Sequence, residues 1–278
     1  MTRSTDSRPI GVFDSGVGGL TVLSEIRRRL PDERTVYLGD NERTPYGPRP
    51  ADEVRRFTLE CVRWLLQQDV KALVLACNTA TSHALGAVRG ASPVPVLGVV
   101  RPGAVTAAAA TRTGHVGVIA TQGTVASGAY PAAINEADRR LTVHQQACPD
   151  LVPLVEAGTL DGPEVAAAVD GYLDQLLAGD PQIDTLLLGC THYPLLRPLI
   201  ERRAGPTVAV VDSAFTAALA TEDLLDALGT RGPSPQAGQS GDGHRIATTG
   251  DVAAFSTVAE RVFGERLPVV EAAALGAH

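Results

Sequence analysis

Short apolar runs alternate with helical patterns along most of the chain, and this alternation constrains the fold more than any other feature. Strands that alternate with helices through short loops form parallel sheets with right-handed crossovers and helices on both faces. The sequence therefore predicts an α/β fold. The predicted strands are Ile10–Phe13, Thr35–Leu38, Ala72–Ala76, Val96–Val100, His115–Ala120, Leu141–Ala147, Thr185–Leu188, Val208–Val211 and Arg245–Thr248. The predicted helices include Leu20–Leu30, Ala51–Gln68, Pro102–Ala110, Pro163–Leu177, Leu195–Arg203 and Ser213–Leu228.

Two segments of the chain share a pattern around a cysteine. In each segment an apolar strand leads into the cysteine, Cys77 in the first and Cys190 in the second, and helical sequence follows. Two similar half-molecules that face each other would present these thiols across one cleft.

Small, polar and reactive residues gather after the predicted strands. Ligands of parallel α/β sheets bind beyond the carboxyl ends of the strands, near the point where the strand order reverses. The clustering therefore indicates an active site at one end of the sheets. The residues concerned are Asp14-Ser15-Gly16, Gly39-Asp40 leading to Pro45-Tyr46-Gly47, Cys77-Asn78-Thr79, Thr121–Thr124, Cys148-Pro149 and Cys190-Thr191-His192.

Charge and hydropathy exclude several classes of partner. The net charge is −7 and the basic residues are scattered, so we expect no nucleic-acid binding. No apolar run is long enough to span a membrane, and residues 1–9 lack the apolar stretch of a signal peptide. The sequence predicts a cytoplasmic protein whose four cysteines are free thiols. The stretch from Gly229 to Gly243 is rich in Gly, Ser, Pro and Gln and is typical of a mobile surface loop.

The lysine content bears on the cofactor. Lys71 is the single lysine of the chain, and it stands at the start of a predicted strand, where residues are usually structural. Pyridoxal phosphate enzymes need a lysine for the internal Schiff base. We therefore expect no lysine-bound cofactor.

The segment from Gly16 to Gly19 has an alternative interpretation as a nucleotide loop, because it follows a strand and opens a helix. The third glycine of the dinucleotide pattern is replaced by Thr21, and no phosphate-loop lysine follows. We favour the binding of a small anion, such as a carboxylate, at the helix N-terminus.

A metal site formed by Cys77, Cys190 and His192 is an alternative interpretation, but the close ligand pairs of structural zinc sites are missing. We predict no metal.

Two thiols suit the inversion of an amino-acid α-carbon, which removes a proton from one face and delivers one to the other. The reference pKa of cysteine is about 8.5, and a helix N-terminus lowers it. Cys77 and Cys190 share the strand-end context and are the predicted acid/base pair. Cys61 lies on the apolar stripe of a helix, and for it, as for Cys148, we favour a packing role.

Five motifs together resemble bacterial glutamate racemases, from about residue 9 to residue 228. They are Asp14–Leu20, Pro45-Tyr46-Gly47, Cys77–Ala80, Gly98–Val100 with Pro102-Gly103, and Gly189–Pro194. The resemblance implies two pseudo-symmetric, doubly wound α/β domains with mostly parallel sheets and the active site in the cleft between them. The first domain would comprise residues 1–100 plus 212–278, and the second residues 101–211. The resemblance also implies a homodimer that uses no cofactor and supplies D-glutamate for peptidoglycan synthesis.

The resemblance also implies a role for each matching position. Cys77 would exchange a proton with D-glutamate and Cys190 with L-glutamate. Asp14 would relay protons for Cys77, and Glu156 and His192 would assist Cys190. Since a nearby carboxylate raises the pKa of a thiol, Asp14 can help only as a proton acceptor. The implied substrate-binding residues are Asp14, Ser15, Tyr46, Gly47, Asn78, Thr79, Thr121, Thr191 and His192.

Two other functions stay open at this stage. A relative acting on aspartate, hydantoins or malonates would share much of this pattern, although a decarboxylase would keep only one of the two cysteines. A non-catalytic protein that binds a small ligand would need neither thiol.

Overall fold

The structure, a computed structural model, describes residues 5–233, 243–264, 267 and 269–276. Most of the predicted loop from Gly229 to Gly243 lies outside these residues. The strands are β1 Ile10–Asp14, β2 Thr35–Gly39, β3 Ala72–Leu75, β4 Val96–Gly98, β5 His115–Ala120, β6 Thr142–Ala147, β7 Thr185–Gly189, β8 Ala209–Asp212, β9 His244–Thr248 and β10 Val270–Ala272. The helices are α1 Leu20–Arg29, α2 Ala51–Leu66, α3 Asn78–Ala91, α4 Val100–Ala110, α5 Gln122–Ser127, α6 Ala129–Ala137, α7 Leu151–Glu156, α8 Pro163–Gly179, α9 Arg197–Ala204, α10 Ser213–Leu228 and α11 Val252–Phe263.

The described strands form two parallel sheets, which confirms the predicted α/β class. The first sheet has the strand order β10-β9-β2-β1-β3-β4, and the second has the order β6-β5-β7-β8. Every neighbouring pair is parallel. Four strands of the first sheet, β2-β1-β3-β4, have the same arrangement as the four strands of the second, β6-β5-β7-β8, with β1 corresponding to β5 and β3 to β7. The sequence pattern repeated around the two cysteines therefore corresponds to a repeated topology.

This topology sets where a ligand can bind. The strand order reverses beside β1 in the first sheet and beside β5 in the second. Crevices beyond the carboxyl ends of parallel strands form at such reversals. The first sheet draws on residues 10–98 and 244–272 and the second on residues 115–212. The domain boundaries near residues 100 and 211 stay a prediction.

Helices cover both faces of each sheet, and this explains the continuous apolar runs. Val74 of β3 packs in the cluster on one face of the first sheet, whereas Leu73 and Leu75 pack on the other. In the second sheet Leu187 and Leu188 likewise belong to different clusters. Strands that are buried on both faces show no alternation of apolar and polar residues.

Lys71 is a structural residue, as its position predicted. Its ammonium lies 2.5 Å from the Glu33 carboxylate, and both side chains are almost fully buried. It also donates hydrogen bonds to the backbone carbonyls of Asp6, at 2.9 Å, and Thr230, at 2.7 Å. The pair therefore holds the start of the described chain and the segment after α10 against the amino ends of β2 and β3.

Some predicted boundaries are wrong. The strand predicted over Val96–Val100 ends at Gly98, because Val99 has helical backbone angles and Val100 begins α4. Pro102 is tolerated there since the first turn of a helix has free N–H positions. The short helices α5 to α7, the helix α11 and the edge strand β10 were not predicted. Among the described residues, no helix has both the length and the apolar character needed to cross a membrane.

Candidate active site

A cavity of about 140 Å³ lies between the carboxyl ends of the two sheets. Residues after β1 and β3 line it on one side, and residues after β5, β6 and β7 line it on the other. Of the predicted site residues, it brings together Ser15, Tyr46, Gly47, Cys77, Asn78, Thr79, Thr121, Cys190, Thr191 and His192. A larger cavity of about 530 Å³ lies near the amino end of β2, and none of the described residues that line it is a cysteine or a histidine.

Cys77 lies at the N-terminus of α3, where its sulfur caps the helix. The sulfur accepts a hydrogen bond from the Ala80 backbone N–H at 3.4 Å and lies 3.5 Å from the Ser15 hydroxyl. Burial, and after it the nearby Asp14 carboxylate, raise the pKa of the Cys77 thiol to about 12 against the lowering effect of these two contacts. The N–H of Ala80 at the helix N-terminus lowers this pKa, as expected, but burial is the larger effect and the net pKa is raised. Cys77 carries a proton at neutral pH.

Cys190 lies on the opposite side of the cavity beside a charged imidazole. Its sulfur is 3.8 Å from Nδ1 of His192, and Nε2 of His192 is 3.2 Å from the Glu156 carboxylate. Burial lowers the pKa of His192, but the hydrogen bonds to Cys190 and Glu156 raise it more, to about 10. The segment that follows Cys190 is a short 3₁₀ turn, Tyr193–Leu196, rather than the predicted helix N-terminus. The imidazolium therefore supplies the positive charge near Cys190.

Asp14 and Glu156 do not line the cavity. Asp14 ends β1 and is completely buried behind it; its carboxylate accepts hydrogen bonds from the Gly16 N–H at 3.0 Å and the Thr191 hydroxyl at 3.4 Å. Burial raises the pKa of Asp14 to about 6, opposed by the His192 charge and the N–H groups of Gly16 and Gly19. Neither carboxylate therefore contacts a ligand in the cavity directly. Each can act on a ligand only through a thiol or His192, or after the site moves.

The glycine-rich loop after β1 binds an internal anion. Its Gly16 and Gly19 amides bond to the Asp14 carboxylate, and of this loop only Ser15 reaches the cavity. The expectation that these amides bind a substrate carboxylate is therefore wrong. The glycines are needed for close packing, because a Cβ at Gly18 would lie 2.5 Å from both Nδ1 of His192 and the Thr191 hydroxyl.

We expect Gly18→Ala to lower kcat/KM about 10²-fold, since a displacement of about 1 Å at a reacting group has an effect of this size. The added methyl group would push His192 away from Cys190. Gly86→Ala on α3 is the matched control: its Cβ meets no atom within 4 Å, so activity should be kept. The control should also be more stable by about 0.5–1 kcal/mol, because alanine favours a helix. Equal activity of the two variants in steady-state assays would contradict the packing argument.

Tyr46 is held by groups outside the cavity. Its hydroxyl donates a hydrogen bond to the buried Asp40 carboxylate, and its ring packs between Phe13 and Phe57. Arg43 bonds to the same carboxylate at 2.8 Å. The Tyr46 hydroxyl is therefore committed to Asp40, although the residue lines the cavity.

Hydrogen bonds join the two sides of the cavity directly. The Gly123 N–H donates to the Gly47 carbonyl at 2.8 Å, and the Thr79 and Thr121 hydroxyls are 2.9 Å apart. A cavity joined in this way has a defined shape before any ligand enters.

The two remaining cysteines are also buried and unpaired with each other. Cys61, on the buried face of α2, packs in the core, as predicted. Cys148 lines the cavity, and its carbonyl accepts a hydrogen bond from the Tyr193 hydroxyl at 3.0 Å. Among residues 5–233 and the described part of the C-terminal segment, no group of three His, Cys, Asp or Glu side chains is arranged to hold a metal ion.

Several lining residues were not predicted. They are Thr44, Pro48, Val152 and Pro153. Their one sequence signal is position, since most of them follow a predicted strand or flank a predicted site residue.

Comparison with known proteins identifies the family. A family model described as Asp/Glu/Hydantoin racemase matches residues 10–221. The chain belongs to this racemase family. The racemase is 48% identical over 253 residues to the glutamate racemase of Shouchella clausii, an alignment that covers 91% of this chain and 89% of that relative.

Solved structures agree with this assignment. The crystal structure of a glutamate racemase from Bacillus anthracis has a TM-score of 0.89 and 44% identity, and the match covers 96% of this chain and 98% of the other. A Francisella tularensis glutamate racemase solved with D-glutamate has a TM-score of 0.87 and 31% identity, with 97% of this chain and 98% of the other covered. The protein is therefore an isomerase with the fold of amino-acid racemases.

Proposed function

We propose that this racemase interconverts L- and D-glutamate by proton transfer at Cα between two thiols, without a cofactor. The observation that carries the proposal is that Cys77 and Cys190 line one cavity from the ends of different sheets. Glutamate as the substrate is supported by the names of the similar proteins, among them the Francisella structure with D-glutamate.

In the proposed reaction one sulfur, as thiolate, takes the proton from Cα, and the other, as thiol, delivers a proton to the opposite face. The first sulfur ends as a thiol and the second as a thiolate, so protons and charge balance in each direction. Cys77 would act on D-glutamate and Cys190 on L-glutamate. Each thiol must therefore be ionised in one direction of the reaction and protonated in the other.

The neighbours of each sulfur fit this requirement. Asp14 would accept the proton of Cys77, because burial raises the pKa of this carboxyl to about 6 and brings it closer to that of the thiol. His192, held by Glu156, would stabilise the Cys190 thiolate by its positive charge and return a proton through Nδ1.

Neutral donors, together with the His192 imidazolium, would hold the two substrate carboxylates. No arginine or lysine side chain among the described residues lines the cavity. Hydroxyl and backbone N–H donors in a closed site stabilise charge that develops as the α-proton leaves. The proposed binding residues are Asp14, Ser15, Tyr46, Gly47, Asn78, Thr79, Thr121, Thr191 and His192, of which Asp14 would contribute from behind the cavity wall. The cytoplasmic location, the homodimer and the supply of D-glutamate to peptidoglycan synthesis belong to the same proposal.

Incubation of the chelator-treated protein with L-glutamate in D₂O tests the proposal. We expect the circular dichroism of glutamate to decay to zero, because two enantiomers have equal free energies, while proton NMR shows the loss of the Cα–H signal. L-Aspartate and a hydantoin serve as competing substrates. Decay that requires added pyridoxal phosphate or metal would exclude the cofactor-free mechanism, and faster turnover of aspartate would exclude the proposed substrate.

A further inference from the structure

The side-chain amide of Asn78 has an unusual environment at the cavity wall. Asn78 begins α3, is 2% exposed and lines the cavity. Its Nδ2 donates to the Tyr130 hydroxyl at 2.7 Å and to the Ser213 hydroxyl at 3.0 Å. Its Oδ1 is buried and has no hydrogen-bond partner among the described residues. The amide nitrogen thus uses both of its hydrogens, whereas the amide oxygen has no partner among the described residues.

A count of hydrogens shows which way this amide points. The Ser213 hydroxyl donates to the Leu188 carbonyl at 3.2 Å, so its single hydrogen is used. The Tyr130 hydroxyl lies 3.1 Å from Ser213 and can donate to it. The two amide hydrogens of Asn78 then meet the free lone pairs of Tyr130 and Ser213, and every hydrogen has an acceptor. With the amide reversed, Oδ1 of Asn78 would face the Ser213 hydroxyl oxygen, whose hydrogen is already donated to Leu188, and the hydrogen bond between Asn78 and Ser213 would be lost.

The network is also fixed in space from three elements. Asn78 starts α3, Tyr130 lies in α6 and Ser213 starts α10. The Tyr130 ring packs against β7 at Gly189, where a Cβ would lie 2.8 Å from the ring. Gly189 directly precedes Cys190, so the same tyrosine contacts the strand that carries one of the two thiols.

We infer that Tyr130 and Ser213 are positioning residues that fix the Asn78 amide with its oxygen toward the cavity, where it accepts a hydrogen bond from the α-ammonium of the substrate. The inference rests on the proposed function. The α-ammonium carries the only N–H donors of glutamate, and no carboxylate among the described residues lines the cavity. The unpartnered Oδ1 is therefore the acceptor that matches this charge.

Tyr130→Phe removes one hydroxyl and keeps the ring. We expect KM for L-glutamate to rise about tenfold or more while kcat changes less than about threefold, because a hydrogen bond to a charged group is lost in ground and transition states alike. Ser213→Ala should act in the same direction. Tyr172→Phe is the matched control: its hydroxyl bonds to Asp150 and neither residue lines the cavity, so its kinetics should match the wild type.

Glutarate, which is glutamate without the ammonium group, separates a positioning role from a structural one. Its inhibition constant should be the same in Tyr130→Phe, Ser213→Ala and the wild type. If the inhibition constant of glutarate rises by the same factor as KM for L-glutamate, the inference is overturned. It is also overturned if KM for L-glutamate does not change. If the tyrosine variant does not fold in thermal unfolding scans, Ser213→Ala provides the same comparison. Failure of the wild type to racemise glutamate would instead overturn the proposed function.

Discussion

Cys77→Ala and Cys190→Ala are each expected to lower kcat for racemisation by about 10³-fold, the range over which a positioned acid or base acts. Either change leaves one face of the α-carbon without a proton donor or acceptor. The measurement is circular dichroism of glutamate at saturating substrate. Cys61→Ala, on α2 in the core and not among the residues that line the cavity, is the control and should retain turnover.

Solvent exchange separates the roles of the two thiols. Cys190→Ala keeps Cys77, so it should exchange the Cα–H of D-glutamate for deuterium without inverting it. Cys77→Ala should do the same with L-glutamate. The opposite preference would reverse the assignment of the thiols, and full racemisation by the double variant would exclude the mechanism.

Lys71→Met is expected to lower the free energy of unfolding by about 3–5 kcal/mol, because it leaves the Glu33 carboxylate buried without its partner. The melting temperature should fall by on the order of 10 °C. The double variant with Glu33→Gln should recover part of this loss, since no buried charge then remains.

A surface ion pair provides the comparison for this effect. Arg140 and Asp138 lie 2.7 Å apart, but the arginine side chain is 89% exposed. Arg140→Met should therefore cost less than about 1 kcal/mol in the same denaturant titration. An equal loss in both variants would mean that burial of the Lys71 pair does not determine its contribution.

The sequence predicted the sheets well because their strands are buried on both faces. The apolar run before Cys77 and the one before Cys190 allow few other structures, and each ends where the reactive residue stands. The short helices α5 to α7 were missed since six to nine residues carry too little periodicity. Strand β10 was missed because three residues at a sheet edge show no pattern.

The site was predicted by residue type and strand position, but its electrostatics depend on contacts that are distant along the chain. The high pKa of Cys77 comes from burial, and the burial comes from the packing of two sheets. The resemblance implies that Asp14 serves Cys77, but it does not predict that Asp14 is buried behind the cavity. That position depends on the fold of the glycine-rich loop after β1. Tyr130 and Ser213 gave no signal in the sequence, since their hydroxyls meet Asn78 only in three dimensions.

The repeated strand order has a chemical consequence. Cys77 follows β3 and Cys190 follows β7, which occupy the same place in β2-β1-β3-β4 and β6-β5-β7-β8. The two cysteines therefore occupy equivalent positions in the two four-strand units. In the proposed reaction the reactant and product are mirror images. Two equivalent sulfur positions can therefore carry out the forward and the reverse reaction by the same chemical step, each sulfur acting on one enantiomer. Duplication of one four-strand unit would therefore supply an acid/base position for each enantiomer from the topology alone, before any other residue changed.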